Sequence, residues 1–279
     1  MKTSDLYGIR AVERAFLVLR VLRDASGPSS LPAIATASGL SVTTTYRLLR
    51  TLESEGVVET QEQGYTLGVG VLELADAFSR QQDVVRVARP YLASLRDELN
   101  ETCGLGVRSG DDWILVAHMD STQPVRRVMR AGERLSLAAT ATGRVFLAHD
   151  DDADVERYIA RCPEDVGHEQ VGGPDELRAQ LREIRERGYA WVTNAKNTGG
   201  WGVRHPVYRH DGQIVAVLSV ACPRDRFTDE FRDRCLAASL RAARQISVAL
   251  GYSGPATRSR PAPGATAPPR VNALARPAI

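Results

Sequence analysis

The sequence predicts an α+β fold: an N-terminal winged helix-turn-helix, a connecting helix, and a larger C-terminal half of mixed helices and strands. Three observations predict it. A turn followed by an amphipathic helix occupies residues 38–58. Beyond residue 100 the helical spacing of apolar residues gives way to strand and hairpin signals. Residues 214–221 are almost wholly apolar, as a central strand covered on both faces must be.

The first helix runs from Ile9 to Asp24, where Ile9, Val12, Ala15, Phe16, Leu19 and Leu22 recur at helical spacing. A polar loop leads to a short second helix, Leu31 to Ser38, with Pro32 in its first turn and Ile34 inward. Gly39 permits the sharp turn that follows, and Ser41 is a good N-cap. In the third helix Val42, Thr45, Leu49 and Leu52 form the expected inner stripe, and Gly56 ends it. Val57 to Thr60 and Gly64 to Leu67 are two short strands, joined by Gln61-Glu62-Gln63 as a hairpin.

The outer side of the third helix carries Thr43, Arg47, Arg50 and Ser54. Hydroxyls and arginines reach phosphates, and arginine reads guanine edges, so this stripe suits a DNA major groove. Thr44 and Tyr46 join the expected contacts, Ser41 stands at the helix N-terminus, where a phosphate is favoured, and Gln61 and Gln63 lie on the wing. The competing reading is an ordinary amphipathic helix with a solvated polar face.

Val71 to Phe78 is read as a connecting helix, and a longer helix spans Val84 to Asn100, with Pro90 as a point where it breaks or restarts. Strands are expected at Thr102 to Arg108 and Trp113 to His118 around the turn Ser109-Gly110-Asp111-Asp112, and a third at Pro124 to Met129. Ala141 to His149, Asp154 to Arg161 and Pro174 to Arg187 read as helices. Tyr189 to Thr193, Gly202 to Tyr208 and Ile214 to Ala221 read as strands, the last two joined through Asp211-Gly212. Thr228 caps a final helix to Leu250. The proline-rich residues after it have no core pattern and are read as disordered. The boundaries are therefore 1–68 for the winged helix, 69–84 for the connecting helix, 85–252 for the C-terminal domain and 253–279 for the tail.

Composition narrows the function classes. Hydrophobic content of 43% and charged content of 25% are globular values, and no apolar run approaches a membrane span. Met1 to Asp5 has no apolar run behind it, so no secretory signal is expected. Cys103, Cys162, Cys222 and Cys235 form no CxxC pair, which fits reduced thiols in a cytoplasm. Residues 1–68 carry seven Lys/Arg against seven Asp/Glu, so DNA affinity must come from charge placement and from doubling by a dimer. The apolar side of Ile9 to Leu22 and the connecting helix through Phe78 offer surfaces for that self-association; the alternative is that they are intradomain core.

The order of motifs resembles the IclR-type bacterial transcriptional regulators over roughly Ile9 to Leu250. The resemblance rests on Gly39-Leu40-Ser41 through Leu48-Leu49, Thr51-Leu52-Glu53, Gly56 and Tyr65-Thr66-Leu67-Gly68. In the second half it rests on Ala139-Thr140-Ala141-Thr142-Gly143-Arg144, Arg187-Gly188-Tyr189-Ala190, Pro206-Val207 and Leu218-Ser219-Val220. It implies a GAF-like effector-binding domain, a double-stranded operator, a small and often carboxylated effector, and homodimers that often pair into tetramers. Family pocket positions map to Ala141, Thr142, Val192, Gly202, Ser219 and Ala221. The chain departs from the glyoxylate- and pyruvate-binding pattern: an aspartate there is Val192 here, a cysteine is Gly202, and a second serine is Ala221. The pocket so implied is roomier and less polar, which suits a larger, partly aromatic ligand.

Alternate strand residues face one side, so Arg204 is expected to share the face of Gly202. Arg204 with Ser219 is then the anionic anchor, Thr142 an added hydroxyl, and Met129, Leu135, Leu137, Val192 and Ala221 an apolar wall. The alternative sends Arg204 to solvent or to an acidic partner. The chain contains no nucleophile elbow, no phosphate-cradling glycine loop and no His-Glu-x-x-His, so neither a catalytic residue nor a resident metal or cofactor is expected. The rival function is a metal- or thiol-sensing regulator built on Cys103, His118, His205 and Cys222; an enzyme on the C-terminal half is the more distant one.

Overall fold

The computed structural model describes residues 9–81, 83–169, 171–192, 200–226 and 228–254. It divides into two compact units, 1–81 and 82–279. The residues read as a tail lie outside the described ones beyond 254.

The first unit contains α1 (Arg10–Asp24), α2 (Leu31–Ser38), α3 (Val42–Ser54), β1 (Val58–Gln61), β2 (Gly64–Leu67) and α4 (Gly70–Gln81). Local chemistry sets its boundaries. The Ser30 hydroxyl accepts from the Ala33 N–H, and the Ser41 hydroxyl from the Thr44 N–H at 3.2 Å. Gly39 closes α2 at φ 66°, a conformation that a side chain resists. The wing turns more tightly than expected: Gln61 already pairs with Gly64, leaving Glu62-Gln63 as the turn.

Val18, Leu22, Ile34, Leu49 and Val58 form the core of this unit. On α1 the buried side carries Val18 and Leu22, while Ile9, Val12 and Phe16 are exposed. One expectation fails here, at Val42. On α3, Val42 is half exposed, because it opens the helix and the inward position passes to Thr45. The Thr45 hydroxyl is satisfied by the Ser41 carbonyl at 3.0 Å.

The second unit is an antiparallel sheet in the order β5-β4-β3-β8-β7-β6. Its strands are β3 (Thr102–Ser109), β4 (Asp112–Met119), β5 (Arg134–Ser136), β6 (Ala190–Val192), β7 (Gly200–Tyr208) and β8 (Ile214–Pro223). One face, with Cys103, Leu105, Leu218 and Val220, packs on α5 (Asp83–Leu99) and α10 (Asp229–Ala249). The other, inner face packs with α6 (Ala141–Ala148), α7 (Asp152–Arg161) and α9 (Pro174–Arg187) around Trp113, Leu115, Leu137 and Phe146. β8 lies between β3 and β7 and is buried from Ala216 to Cys222, as its composition requires.

Pro90 sits inside α5 without ending it, on an exposed position. A short α8 (Pro163–Val166) was not foreseen. Residues 124–129 form no strand; the edge strand is β5, paired with β4. The segment is fastened instead by side chains. Arg226 donates to the Val125 carbonyl at 2.8 Å, and the Thr102 hydroxyl donates to the Arg127 carbonyl at 2.8 Å. Those carbonyls have found partners outside a ladder.

Candidate functional site

The outer side of α3 presents Thr43, Tyr46, Arg47 and Arg50 to solvent, with Ser41 exposed at its N-terminus and Thr44 half-buried. Gln61 and Gln63 are exposed on the wing. These side chains are not equally free. Ser41 and Thr44 share a hydroxyl–hydroxyl bond of 2.8 Å, and Arg50 Nη1 is paired with Glu53 at 2.6 Å. Arg47 is exposed, and its guanidinium has no bond among the described residues. An α-helix with short hydroxyls, an aromatic and two arginines on one exposed side has the dimensions and donors to enter a major groove.

In the second unit, strand register assembles the inner face. Val192 pairs with Gly202, Gly202 with Ala221, and Ala221 with Thr102. The adjacent row is Ala190, Arg204, Ser219 and Gly104. Val192, Gly202, Arg204, Ser219 and Ala221 therefore share one patch on one face. Helix α6 stands over it with Thr142, whose hydroxyl accepts from Arg204 Nε at 3.1 Å. Ser219 donates to the Gly104 carbonyl at 3.1 Å. Met129 closes a side: its sulfur and the Ser219 hydroxyl both lie 2.9 Å from where a Cβ on Gly104 would sit. Ala141 is buried at the start of α6, Leu137 is fully buried beneath it, and Leu135 is partly buried on β5.

The electrostatics of this face are lopsided. Arg204 is partly buried, and Nη1 donates to the carbonyls of Val220 at 2.6 Å and Val203 at 2.9 Å. Every partner is neutral; no carboxylate pairs with it among the described residues. The acidic-partner alternative for Arg204 therefore finds no support among them. Desolvation, reinforced by Arg127 and Arg144, pulls its pKa down to about 10. At neutral pH it remains a cation. Arg144 is also drawn down to about 10 by burial, with the Ala138 carbonyl accepting from Nη1 at 2.7 Å. Neither Arg127 nor Arg144 was singled out from sequence as a site residue. The detectable signal was Arg144 as the lone charge in the otherwise apolar Ala141 to Ala148.

The rival metal- and thiol-sensing group is not brought together. Cys103 and Cys222 lie on the face covered by α5 and α10, whereas His118 is paired with Gly104, whose side is the inner face. His205 pairs with Leu218 and Cys222 with Trp201, so four rungs of one strand pair separate them. No three His, Cys, Asp or Glu among the described residues could hold a metal ion. All four thiols are buried, and burial pushes Cys222 and Cys235 up to about 12 and Cys103 higher still, which makes them poor nucleophiles. A cleft of about 380 Å³ is lined by Leu99, Glu101, Gln123, Arg226 and Phe231, where Arg226 holds both oxygens of Glu101.

A winged-helix reader followed by an α/β unit with a cationic inner face defines a ligand-responsive DNA-binding protein. The chain belongs to the IclR family of bacterial transcriptional regulators. Residues 11–62 match the IclR helix-turn-helix domain, and residues 77–248 match the family described as bacterial transcriptional regulator IclR C-terminal. The chain is 30% identical to the HTH-type transcriptional regulator BhcR of Paracoccus denitrificans over 250 residues, covering 88% of this chain and 89% of that one. It is 28% identical to the HTH-type transcriptional repressor AllR of Escherichia coli, covering 88% and 91%. An IclR regulator structure from Alicyclobacillus acidocaldarius superposes with a TM-score of 0.77 at 26% identity, covering 87% and 99%. The protein is thus a DNA-binding transcriptional regulator with a C-terminal ligand-binding domain. No helix among the described residues is long and apolar enough to cross a membrane.

Proposed function

We propose that the protein is a cytoplasmic, homodimeric regulator, able to pair into tetramers, whose operator affinity is set by a small carboxylated metabolite held on the inner face. The observation that carries this reading is Arg204. A largely desolvated cation with only neutral partners is costly, and breaking its solvation is repaid when an anion arrives. Nη2 has no partner among the described residues, and a carboxylate accepts from two guanidinium nitrogens at once. Ser219 and Thr142 supply hydroxyls beside it. Met129, Leu135, Leu137, Ala141, Val192, Gly202 and Ala221 form the apolar or open remainder, with room for an aromatic or medium-chain acid. The protein catalyses no reaction in this reading.

DNA is contacted by Thr43, Thr44, Tyr46, Arg47 and Arg50 in the major groove, with Ser41 at a phosphate and Gln61 and Gln63 on the wing. The exposed Ile9, Val12 and Phe16 on α1 and Leu72, Leu74 and Phe78 on α4 support pairing of two copies.

The experiment is isothermal titration of the full chain with a panel of small carboxylic acids and their amides. Acids that bind are expected to lose at least tenfold affinity in Arg204→Ala, and the amides are expected not to bind. Equal binding of acid and amide would overturn the carboxylate reading. Wild-type affinity in Arg204→Ala, with weak binding in Ser219→Ala, would replace the arginine anchor by a serine-and-backbone site.

A further inference from the structure

The inner face holds more positive charge than one carboxylate neutralises. Arg204 has only neutral partners, Arg144 is bonded to a backbone carbonyl, and the Arg127 side chain has no bond among the described residues. Arg127 is placed at the rim by its own backbone. Its carbonyl is held by Thr102, which lies beside Ala221 at the end of one inner-face row. Two residues on, Met129 packs over Gly104 and Ser219 in the next row. Arg127 therefore sits on a strap that crosses the ligand patch, with its side chain exposed. Of the charges acting on Arg204, Arg127 has the largest effect, and Arg144 acts in the same sense.

We infer that the effector carries two acidic groups, a small dicarboxylate whose first carboxylate is held by Arg204 with Thr142 and Ser219 and whose second is met by Arg127 on the strap. The inference rests on the carboxylate reading above. Two like charges facing one patch repel each other until an anion lies between them. A monoacid relieves only one of them. An exposed guanidinium at the rim adds its contribution at the second end of the ligand, where its side chain has no other bond to give up.

The test uses matched acids at fixed ionic strength: butanoate with succinate, pentanoate with glutarate, hexanoate with adipate, and benzoate with terephthalate. Each is titrated into the wild-type full chain and into Arg127→Ala, Arg127→Lys and Arg126→Ala. Arg126 is the control, since it is an exposed neighbour with the same charge whose side chain bonds the Gln123 carbonyl. At least one diacid is expected to bind tenfold or more tightly than its monoacid. Arg127→Ala should erase that preference without weakening the monoacid, Arg127→Lys should keep part of it, and Arg126→Ala should keep it all. Diacids no better than monoacids that need Arg204 would overturn this inference and leave the carboxylate reading standing. A preference that survives Arg127→Ala would overturn the role of Arg127. Failure of every acid to bind would remove both readings together.

Discussion

The Arg204 guanidinium lies across the backbone of Gly202: a Cβ at position 202 would stand 2.8 Å from Nη1 and 2.0 Å from the Val220 carbonyl oxygen. The same carbonyl accepts from Nη1. Any side chain at position 202 is therefore incompatible with the pose of the arginine two residues later.

This makes Gly202→Ala a sensitive substitution. The added methyl overlaps a backbone oxygen, which cannot swing away as a side-chain tip can. Overpacking of this kind costs about 1–3 kcal/mol. Urea unfolding is expected to show that loss, and acid binding should weaken with it as Arg204 is displaced. Full stability in Gly202→Ala would mean that the strand has room that the geometry denies.

The recognition helix offers a test with opposite signs. Arg50 is held by Glu53, whereas Arg47 projects without a charged partner among the described residues. Arg47→Ala should weaken operator binding and lower the salt slope by about one phosphate contact per protomer, with little change in thermal stability. Glu53→Gln removes an acid from the DNA side and frees Arg50, so binding should tighten. Mobility-shift titrations at several salt concentrations read both. Unchanged affinity in Arg47→Ala would remove it from the interface.

Why some of this was legible in sequence and some not has physical causes. Gly39, Ser41 and Thr228 act within one turn of themselves, so the ends of α2, α3 and α10 could be placed from local chemistry. The apolar run of β8 reports burial on both faces directly. Helix α1 was harder, because it carries two apolar stripes. Ile9, Val12 and Phe16 form one, Val18 and Leu22 belong to the other, and only the packing of α2 and α3 decides between them. The segment 124–129, Pro-Val-Arg-Arg-Val-Met, carries β-branched valines as a strand does. Thr102 and Arg226, distant in sequence, fasten its carbonyls and keep it out of the ladder. Alternation placed Arg204 with Gly202, but no local pattern could bring Arg127 and Arg144 to the same patch.

Exposure of the first α1 stripe supports pairing of two chains through the N-terminal unit. Phe16 is 56% exposed and Leu72 is 69% exposed, unusual for large apolar side chains that serve no partner. Phe16→Glu is expected to leave the unit folded, since it touches no core position, and to convert dimer to monomer in light scattering at micromolar concentration. Operator affinity should fall by orders of magnitude, because a near-neutral single reader has little affinity alone. A dimer that persists in both Phe16→Glu and Leu72→Arg would place the interface elsewhere.

His205 makes acid stability a final, quantitative test. It lies on β7 facing α10, 1% exposed, with both ring nitrogens buried and unpartnered among the described residues. The Tyr189 ring is 5.5 Å away, and Arg244 is the charged group on α10 that acts on it. Burial first, and Arg244 second, lower its pKa from 6.5 to about 4. The folded state thus binds the proton more weakly than the unfolded state. Stability is fully present above pH 6.5 and is lost as the pH falls toward 4, by about 3 kcal/mol from this group. Burial lowers His149 as well, so the wild-type acid limb contains both contributions. His205→Phe isolates one: an apolar ring replaces two unsatisfied nitrogens beside Tyr189. The variant should be more stable at pH 7 by about 1–3 kcal/mol. Its advantage should widen between pH 6.5 and 4.5, as only the wild type must pay to keep position 205 neutral. Urea titrations at both pH values measure the difference, and an advantage that does not change with pH would show that His205 is not the group that titrates.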